Sequence, residues 1–380
     1  MQILPIASGK GGVGKSLVAA NLAIALSQAG KRVVLADLDL GGSNIHLILG
    51  TPTQTKGVGV FINNPKTQFE EILIPTGYPN LTFVPGDAEI PGMANVKTTQ
   101  KRKLIRNLLS VDADYLIMDL GAGTSYNIMD FFLTASSGII VTTPTLTATL
   151  NAYLFLKNAV FRIMYSSFAK KSRAFQILEQ LRKQGTAFQK LYIPRFIERI
   201  EKEDPQSYQS FQESIKHFNP RLIMNMLEDP KDADKAGKLR RSSREYLGID
   251  LEHLGIVYRD NLQDIALSSR LPIIVYKPQS VLSQAIYRIA DKVLQLHPEY
   301  KGPIDYDTLD ESYQIAEMEA ETDFNSKMNY VEDLLNTGAL TTGDLIDTIK
   351  SQQFEINQLK KQNNLYKYKL LKAADQGFSV

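Results

Sequence analysis

The chain has 380 residues, of which 43% are hydrophobic and 22% charged, and carries a net charge of +2. That length allows one large domain or two ordinary ones, the composition is that of a globular protein, and no apolar run approaches the roughly 20 residues that a membrane-spanning helix needs. Cysteine is absent, which excludes disulfides, thiolate nucleophiles, iron–sulfur clusters and thiolate-bound zinc, and His46, His217, His253 and His297 are scattered without metal-ligand spacing.

The N-terminal "MQILPIASGK" has no basic region followed by a long apolar stretch, so a cytoplasmic protein is expected. Its apolar run reads as a strand that ends in glycines, and "SLVAANLAIALSQAG" behind them repeats small and apolar residues at helical spacing up to Gly30. Between strand and helix, Gly9-Lys10-Gly11-Gly12-Val13-Gly14-Lys15-Ser16 satisfies G-x-x-x-x-G-K-[ST]. Glycines let the backbone curl so that consecutive N–H groups, from Gly11, Gly12, Val13 and Gly14 to Leu17 at the helix start, point at phosphate. Lys15 then reaches the β/γ oxygens and the Ser16 hydroxyl ligates Mg²⁺, so ATP and Mg²⁺ are the expected ligands.

A second buried run, "KRVVLADLDLGGSN", places Asp37 and Asp39 where its strand should end, the edge of a parallel sheet at which ligands bind. Past the strand end the two carboxylates can diverge, one toward metal-bound water and one toward an attacking water; a turn or helix-cap role for either alone is the weaker reading. The third run, "ADYLIMDLGAG", ends in Asp119 and glycines, the pattern of an acid that holds Mg²⁺ through water beside a loop that senses the γ-phosphate.

The "KGGVGKS" stretch resembles the deviant phosphate loop of the MinD/ParA/nitrogenase-reductase class of ATPases, and "LADLDLGGSN" and "LIMDLGAG" are similar to that class's two downstream motifs, in order. Within the class, residues 223–260 and 268–294 most resemble the flagellar-number regulators FlhG and FleN. The resemblance covers about residues 1–160 and 220–297. It implies an α/β fold, a mostly parallel sheet flanked by helices, and an ATPase that dimerises on ATP, with Lys10 reaching the phosphates held by a second subunit. It also implies Asp39 as the residue that orients the attacking water, Asp37, Asp119 and Ser16 around Mg²⁺, and Asn225 and Arg259 near the base. Asn44 falls in the family's switch segment, and "PTLTATLNAY" (144–153) matches its short Pro-containing stretch after a strand.

On this reading the ATPase domain is 1–298, with an insertion at about 160–218 that relatives lack. "AFQILEQLRKQ" and "YIPRFIERIEKE" make the insertion helical, punctuated by Pro194 and Pro205. Arg162, Lys170, Lys171, Arg173, Arg182 and Lys183 lie in it with aromatic residues between, and "KLRRSSR" (238–244) is denser still. Both suit ordinary solvated helix faces better than a ParA-like DNA surface, which is the weaker reading.

Residues 299–340, including "DYDTLDESYQIAEMEAETDF", read as an acidic linker or loose helix. Residues 341–380 read as a C-terminal helix with Leu345, Ile349, Ile356, Leu359, Tyr366 and Leu370 in a heptad frame, interrupted by Gln352 and Asn363. A coiled coil is preferred there. The alternative is a basic amphipathic helix in peripheral contact with the inner membrane, using Lys360, Lys361, Lys367, Lys369 and Lys372 with Leu365, Tyr366, Leu370 and Leu371. The expected partners are a second copy in the presence of ATP and an unnamed protein bound through the insertion or the C-terminal helix. The expected role is spatial or numerical regulation of a cell-surface or division machine, with flagellar assembly the specific reading and a nucleotide-stabilised scaffold the alternative.

Overall fold

The run of apolar residues ahead of the glycines forms β1 (Gln2–Ser8) in the computed structural model, which describes residues 1–39, 42–52, 56–86, 97–184, 191–296 and 306–337, and single residues between 341 and 363. Later runs form β2 (Val33–Leu38), β3 (Ile74–Pro75), β4 (Leu81–Val84), β5 (Tyr115–Ala122), β6 (Ile139–Thr142), β7 (Arg221–Leu227) and β8 (Glu252–Tyr258). They make one sheet in the order β3-β4-β2-β5-β1-β6-β7-β8, in which only β3 runs antiparallel to its neighbour. Central strands such as β2 are buried at every residue, which is why they read as continuous apolar runs and not as alternating ones.

Helices cover both faces. One face carries α1 (Lys15–Gln28) and α2 (Ile45–Leu49). The other carries α3 (Val58–Asn63), α4 (Thr98–Leu109), α5 (Tyr126–Phe132) and the long α6 (Leu146–Ser167). Helices α7 (Arg173–Lys183), α8 (Ile193–Glu203), α9 (Pro205–Ile215) and α10 (Asp234–Leu247) extend that second layer. Helices α11 (Leu262–Ser268), α12 (Ile273–Tyr276) and α13 (Val281–Gln295) return to the first, and α14 spans Tyr306–Asn336. Two buried clusters follow from this division. Leu4, Ile6, Leu22, Ile117 and Ile286 lie in one, and Met118, Phe132, Phe155, Leu222 and Tyr258 in the other.

The insertion is helical, but its expected start at residue 160 falls inside α6, which runs unbroken to Ser167. Pro194 sits in the first turn of α8, where its missing N–H has no helical partner to lose, and Pro205 opens α9 behind the Asp204 cap, whose Oδ1 accepts from the Ser207 N–H at 3.2 Å. Ile193, Phe196, Ile197 and Ile200 bury one face of α8. Of the insertion's basic residues, Arg162 pairs with Asp130 at 2.6 Å, Arg173 with Glu203 at 3.4 Å and Arg182 with Glu179 at 3.0 Å.

The acidic stretch read as a linker or loose helix is α14, and one compact unit runs to Phe324, beyond the expected boundary at 298; residues 325–380 form a second. Leu309, Tyr313, Ala316 and Ala320 recur at helical spacing and are buried. The helix covers β8, the edge strand, and answers its backbone: the His253 N–H donates to Ser312 Oγ (3.2 Å), and the Tyr313 and Tyr258 hydroxyls donate to the Leu251 and Ala320 carbonyls (2.9 and 2.8 Å). The acids that suggested a solvated linker have cationic partners distant in sequence. Asp310 accepts from Arg240 at 2.6 Å, Asp323 from Arg288 at 2.5 Å, and Glu319 lies 2.8 Å from Lys292. Arg240, the first arginine of "KLRRSSR", also stacks on Tyr313 at 4.7 Å and so is held against α14.

In the second unit, the described residues between 343 and 363 are helical and, in this single chain, exposed, among them Ile349, Ile356, Lys360, Lys361 and Asn363. The other heptad and membrane-face positions, Leu345, Gln352, Leu359, Leu365, Tyr366, Lys367, Lys369, Leu370, Leu371 and Lys372, lie outside the described residues, as do Leu40 and Gly41. Among the described residues no helix is long and apolar enough to cross a membrane.

His253 lies beneath α14 with both ring nitrogens unpartnered and its ring edge-on to Tyr313 at 5.1 Å. Burial, reinforced by the Lys292 charge, pushes its pKa from 6.5 down to about 3. The unfolded chain therefore takes up a proton near pH 6.5 that the native chain refuses, and this contribution to stability is present above that pH and lost as pH falls toward 3. At pH 5 the loss is about 2 kcal/mol. His253→Leu should reduce the fall in urea-unfolding free energy between pH 7 and pH 5 by about that amount; an unchanged pH dependence would show that the ring is hydrated in the native state.

Candidate functional site

The site begins with the conformation of residues 9–15. Gly12 and Gly14 have φ of 77° and 80°, the left-handed region that glycine enters without steric cost, and Gly14 also caps α1. A methyl group on Gly14 would stand 2.2 Å from Asn225 Nδ2, and one on Gly9 would stand 2.1 Å from the Asn151 carbonyl of α6. The loop is thus clamped between β7 and α6. Asn225 Nδ2 donates to the Val13 carbonyl at 2.9 Å from a position 3% exposed. Gly11 and Gly12 meet no such obstacle and line an open cleft.

Beneath the loop, three charged side chains are buried together. β2 and β5 are paired so that Asp37 faces Asp119 directly, and neither is exposed. Lys15, 6% exposed, donates to Asp119 Oδ1 and to Ser16 Oγ, the latter at 3.3 Å. Asp37 is held by the Ser43 hydroxyl at 2.7 Å and by the N–H groups of Asp39 and Ile45 at 3.1 and 3.3 Å. Burial, and then the neighbouring Asp119 charge, push the Asp37 carboxyl up to about 7. Burial also raises Asp119, against the pull of Lys15. Two carboxylates with one ammonium between them leave the cluster short of positive charge when both acids are ionised.

That deficit is the test of whether Mg²⁺ fits. Asp119 Oδ2 is buried without a hydrogen-bond partner, so a strong acceptor is directed at the cluster and unused. Among the described residues no group of three or more His, Cys, Asp or Glu forms a metal cage. The donor set of Ser16, Asp37 and Asp119 suits Mg²⁺, which keeps several waters and takes phosphate oxygens in place of an all-protein cage.

Asp39 lies half-buried outside this cluster, packed against glycine backbone: a methyl group on Gly121 would meet its Oδ1 at 3.2 Å, and one on Gly42 would meet it at 3.6 Å. Leu17 is in the first turn of α1, half-buried against the core. Lys10 is exposed, and its Nζ donates to Thr147 Oγ1 of α6 at 3.3 Å, away from the buried charges. Arg259 follows β8 across the cleft, with its backbone N–H on the Leu227 carbonyl at 3.0 Å and its guanidinium 3.3 Å from Glu228. The structure therefore gathers Lys15, Ser16, Asp37 and Asp119, sets Asp39 at their edge, uses Asn225 as a strut under the loop, and puts Lys10 and Arg259 on the walls of a cleft of about 1020 Å³. Asn44 occupies the N-cap position of α2, and its side-chain amide donates back to the Gly42 carbonyl at 2.9 Å. Ser43 and Thr147 lie inside the quoted "LADLDLGGSN" and "PTLTATLNAY" stretches but were not singled out there, and Met226, whose φ of 59° marks a bulge in β7, was not either.

Residues 1–159 match the family described as ParA: NUBPL iron-transfer P-loop NTPase. Over that stretch the chain resembles MinD/ParA-type P-loop NTPases. It is similar to a putative septum site-determining protein MinD of Guillardia theta, 37% identical over 152 residues, which are 40% of this chain and 56% of that protein. It is also similar to the antiactivator FleN of Pseudomonas aeruginosa (31% over 160 residues, 41% of this chain and 56% of that protein) and to the flagellum site-determining protein YlxH of Helicobacter pylori (32% over 161 residues, 41% and 53%). The chain thus spans just over half the length of these curated relatives. The fold is shared with the septum site-determining protein MinD complexed with Mg-ADP from Pyrococcus horikoshii, at TM-score 0.52 and 21% identity over 80% of this chain and 99% of that one.

Loop geometry makes a sharp comparison between two glycines. Gly14→Ala combines a left-handed backbone with a 2.2 Å approach to Asn225 and should lower the unfolding free energy by about 2 to 3 kcal/mol. Gly11→Ala, which meets open space, should change it by less than about 1 kcal/mol. Equal losses in chemical denaturation would show that the clamp between β7 and the loop is not formed.

Proposed function

We propose that the chain is an Mg·ATP-dependent, slowly hydrolysing ATPase that pairs with a second copy of itself to act as a regulatory switch. The supporting observation is the division of labour between its two loop lysines. Lys15 is committed inside the subunit, buried against Asp119, whereas Lys10 stands exposed at the cleft mouth and, among the described residues, donates to the Thr147 hydroxyl. A buried ammonium beside the phosphates holds the nucleotide. An exposed one on the wall is free to act on phosphate presented from outside.

In this reading Gly11 to Leu17 present backbone N–H groups to the phosphates, Lys15 exchanges part of its contact with Asp119 for phosphate oxygen, and Asn225 keeps the loop in shape. Ser16 would hold Mg²⁺ directly and Asp37 and Asp119 through its waters, where the ion supplies neutralisation of phosphate charge. Asp39, at the edge of the buried cluster and against the Gly121 backbone, orients the attacking water. Lys10 of one subunit stabilises the charge that builds on the phosphoryl group held by the other, so hydrolysis requires assembly. Arg259 and Met226 border the base.

The relatives include proteins named for septum placement and for flagellar control, and both support a switch that places or counts a cell-surface machine. The resemblance of residues 223–260 and 268–294 to FlhG and FleN makes flagellar control the specific proposal, exercised in the cytoplasm or at the inner face of the membrane. A ParA-like DNA-binding role has less support, because Arg240 is engaged by α14 and Arg162, Arg173 and Arg182 by carboxylates.

Mass measurement in solution tests the pairing. The unmodified chain should be monomeric with ADP and dimeric with ATP, Asp39→Ala should hold the ATP dimer, and Lys10→Ala should lose ATP turnover by about 100-fold or more, as expected for removal of a transition-state cation. A monomer under every condition, with turnover independent of protein concentration, would rule the pairing out.

A further inference from the structure

Helix α4, on the far side of the sheet's centre from α10 and α14, carries charge of one sign only. Residues 97–110 hold Lys97, Lys101, Arg102, Lys103 and Arg106 and no carboxylate. The surface helices α7 and α8 are built differently, with Arg182 paired to Glu179 at 3.0 Å and Arg199 to Glu203 at 2.5 Å inside one helix. Leu104 and Leu108 seat α4 on the core, and Lys101 is buried beside them, paired with Asp130 and 3.1 Å from Asn127 Oδ1. Arg102, Lys103 and Arg106 point the opposite way and are exposed. Lys103 lies 4.1 Å over the Phe61 ring, and among the described residues none of the three makes an ion pair.

This pattern works against the helix itself. Lys97 occupies the N-cap position, at the positive end of the helix dipole, and the first turn has no acid to offset it. Arg106 follows Arg102 by four residues and Lys103 by three, the spacings at which like charges on a helix repel. A helix that faced only solvent would be better served by mixed signs. We propose that the exposed face of α4 docks a carboxylate-rich segment of a partner protein, whose acids supply the charge that the helix lacks. Arg102 and Arg106 are one helical turn, about 6 Å, apart, which matches two acids one turn apart on a partner helix. Their guanidinium forks suit carboxylates held in bidentate fashion.

The limits of the patch favour a compact acidic segment over an extended polyanion. Beyond the C-terminal end of α4, Asp112 and Asp114 share the single guanidinium of Arg32. Beside Lys103, Phe61 packs edge-on against Phe69, whose neighbour Glu70 is exposed. These acids repel the phosphates of a duplex or a bilayer laid across the face, and a short segment fits between them. Phe61 is 1% exposed and offers no face for a stacked base, and Leu109 is the one exposed large apolar residue that α4 could press into lipid. The three charges exceed the net charge of +2 of the whole chain, so this face is positive against a background that is not, which steers an acidic partner toward it. The surface lies apart from the nucleotide cleft, and the inference stands independently of the ATPase reading.

The test uses the full chain and four probes: a fluorescent helical peptide with glutamates at i, i+4 and i+7, the same peptide with glutamine at those positions, a short DNA duplex, and vesicles containing phosphatidylserine. The glutamate peptide should bind and weaken as salt is raised, and the glutamine peptide should not bind. Arg102→Gln combined with Arg106→Gln should weaken the glutamate peptide by about tenfold, as expected for the loss of two charge pairs. The same double variant should melt at an unchanged or higher temperature, because it removes a like-charge pair, and this separates a docking face from a structural one. Arg102→Glu combined with Arg106→Glu should instead bind a peptide with lysines in place of the glutamates. The proposal is overturned if the two peptides bind alike, if the glutamine double variant holds the glutamate peptide as tightly as the unmodified chain, or if that variant melts at a lower temperature. It is equally overturned if the duplex or the vesicles bind through these two arginines and the glutamate peptide does not.

Discussion

Two carboxylates face each other across β2 and β5, out of water, with one lysine to neutralise them. A folded protein gains nothing from such an arrangement in isolation, because desolvating two acids costs more than a single ion pair returns. Burial raises Asp37 and Asp119, Asp119 Oδ2 is left unpartnered, and the cluster is short of positive charge when both acids are ionised. Everything around the cluster serves to keep it dry and in register. Ser43 and two N–H groups fix Asp37, Lys15 is anchored by the first turn of α1, and the parallel pairing of β2 with β5 sets one acid against the other.

The loop above the cluster is then under geometric constraint. It must pass close to β7 and to α6, and at both places the sequence supplies glycine because a side chain would collide with Asn225 or with the Asn151 carbonyl. Strand order explains why this occurs at β1. The chain runs outward from β1 to β2 on one side and crosses to β6, β7 and β8 on the other, so the end of β1 lies at the point where the sheet's connections reverse. A loop at that point is flanked by ends of strands from both halves, and this is what brings Asp119 from one side and Asn225 from the other to within reach of residues 13 to 15.

The parts legible in the sequence were those whose physics is local. The glycines and Lys15 need particular backbone conformations and a neighbouring helix start, and the aspartates needed only to end apolar runs, so a linear pattern located them. Asn225 and Arg259 came from resemblance alone, and the strut that Asn225 forms with Val13 is a contact between residues 212 apart that no spacing encodes. The acidic stretch after residue 298, read as a linker or loose helix, hid its packing for the same reason. Its charge density looks like a solvated linker until Arg240, Arg288 and Lys292 are placed opposite Asp310, Asp323 and Glu319. The helical spacing of Leu309, Tyr313, Ala316 and Ala320 was present in the sequence, but two of the four are alanines, and small residues mark a close-packed face less visibly than large ones.

Helix α6 joins the two halves of the molecule's chemistry. Its second turn fixes the phosphate loop through Asn151, its first turn holds Lys10 through Thr147, its outer face leaves Leu146, Leu150 and Leu154 exposed, and its last turns support the insertion. A displacement of α6 by even a fraction of an ångström would be felt at Gly9, where no room exists for the chain to yield. The same rigidity works in reverse. A nucleotide that reshapes the loop must either move that element or be shaped by it, because in a close-packed interior such a contact transmits displacement and does not absorb it.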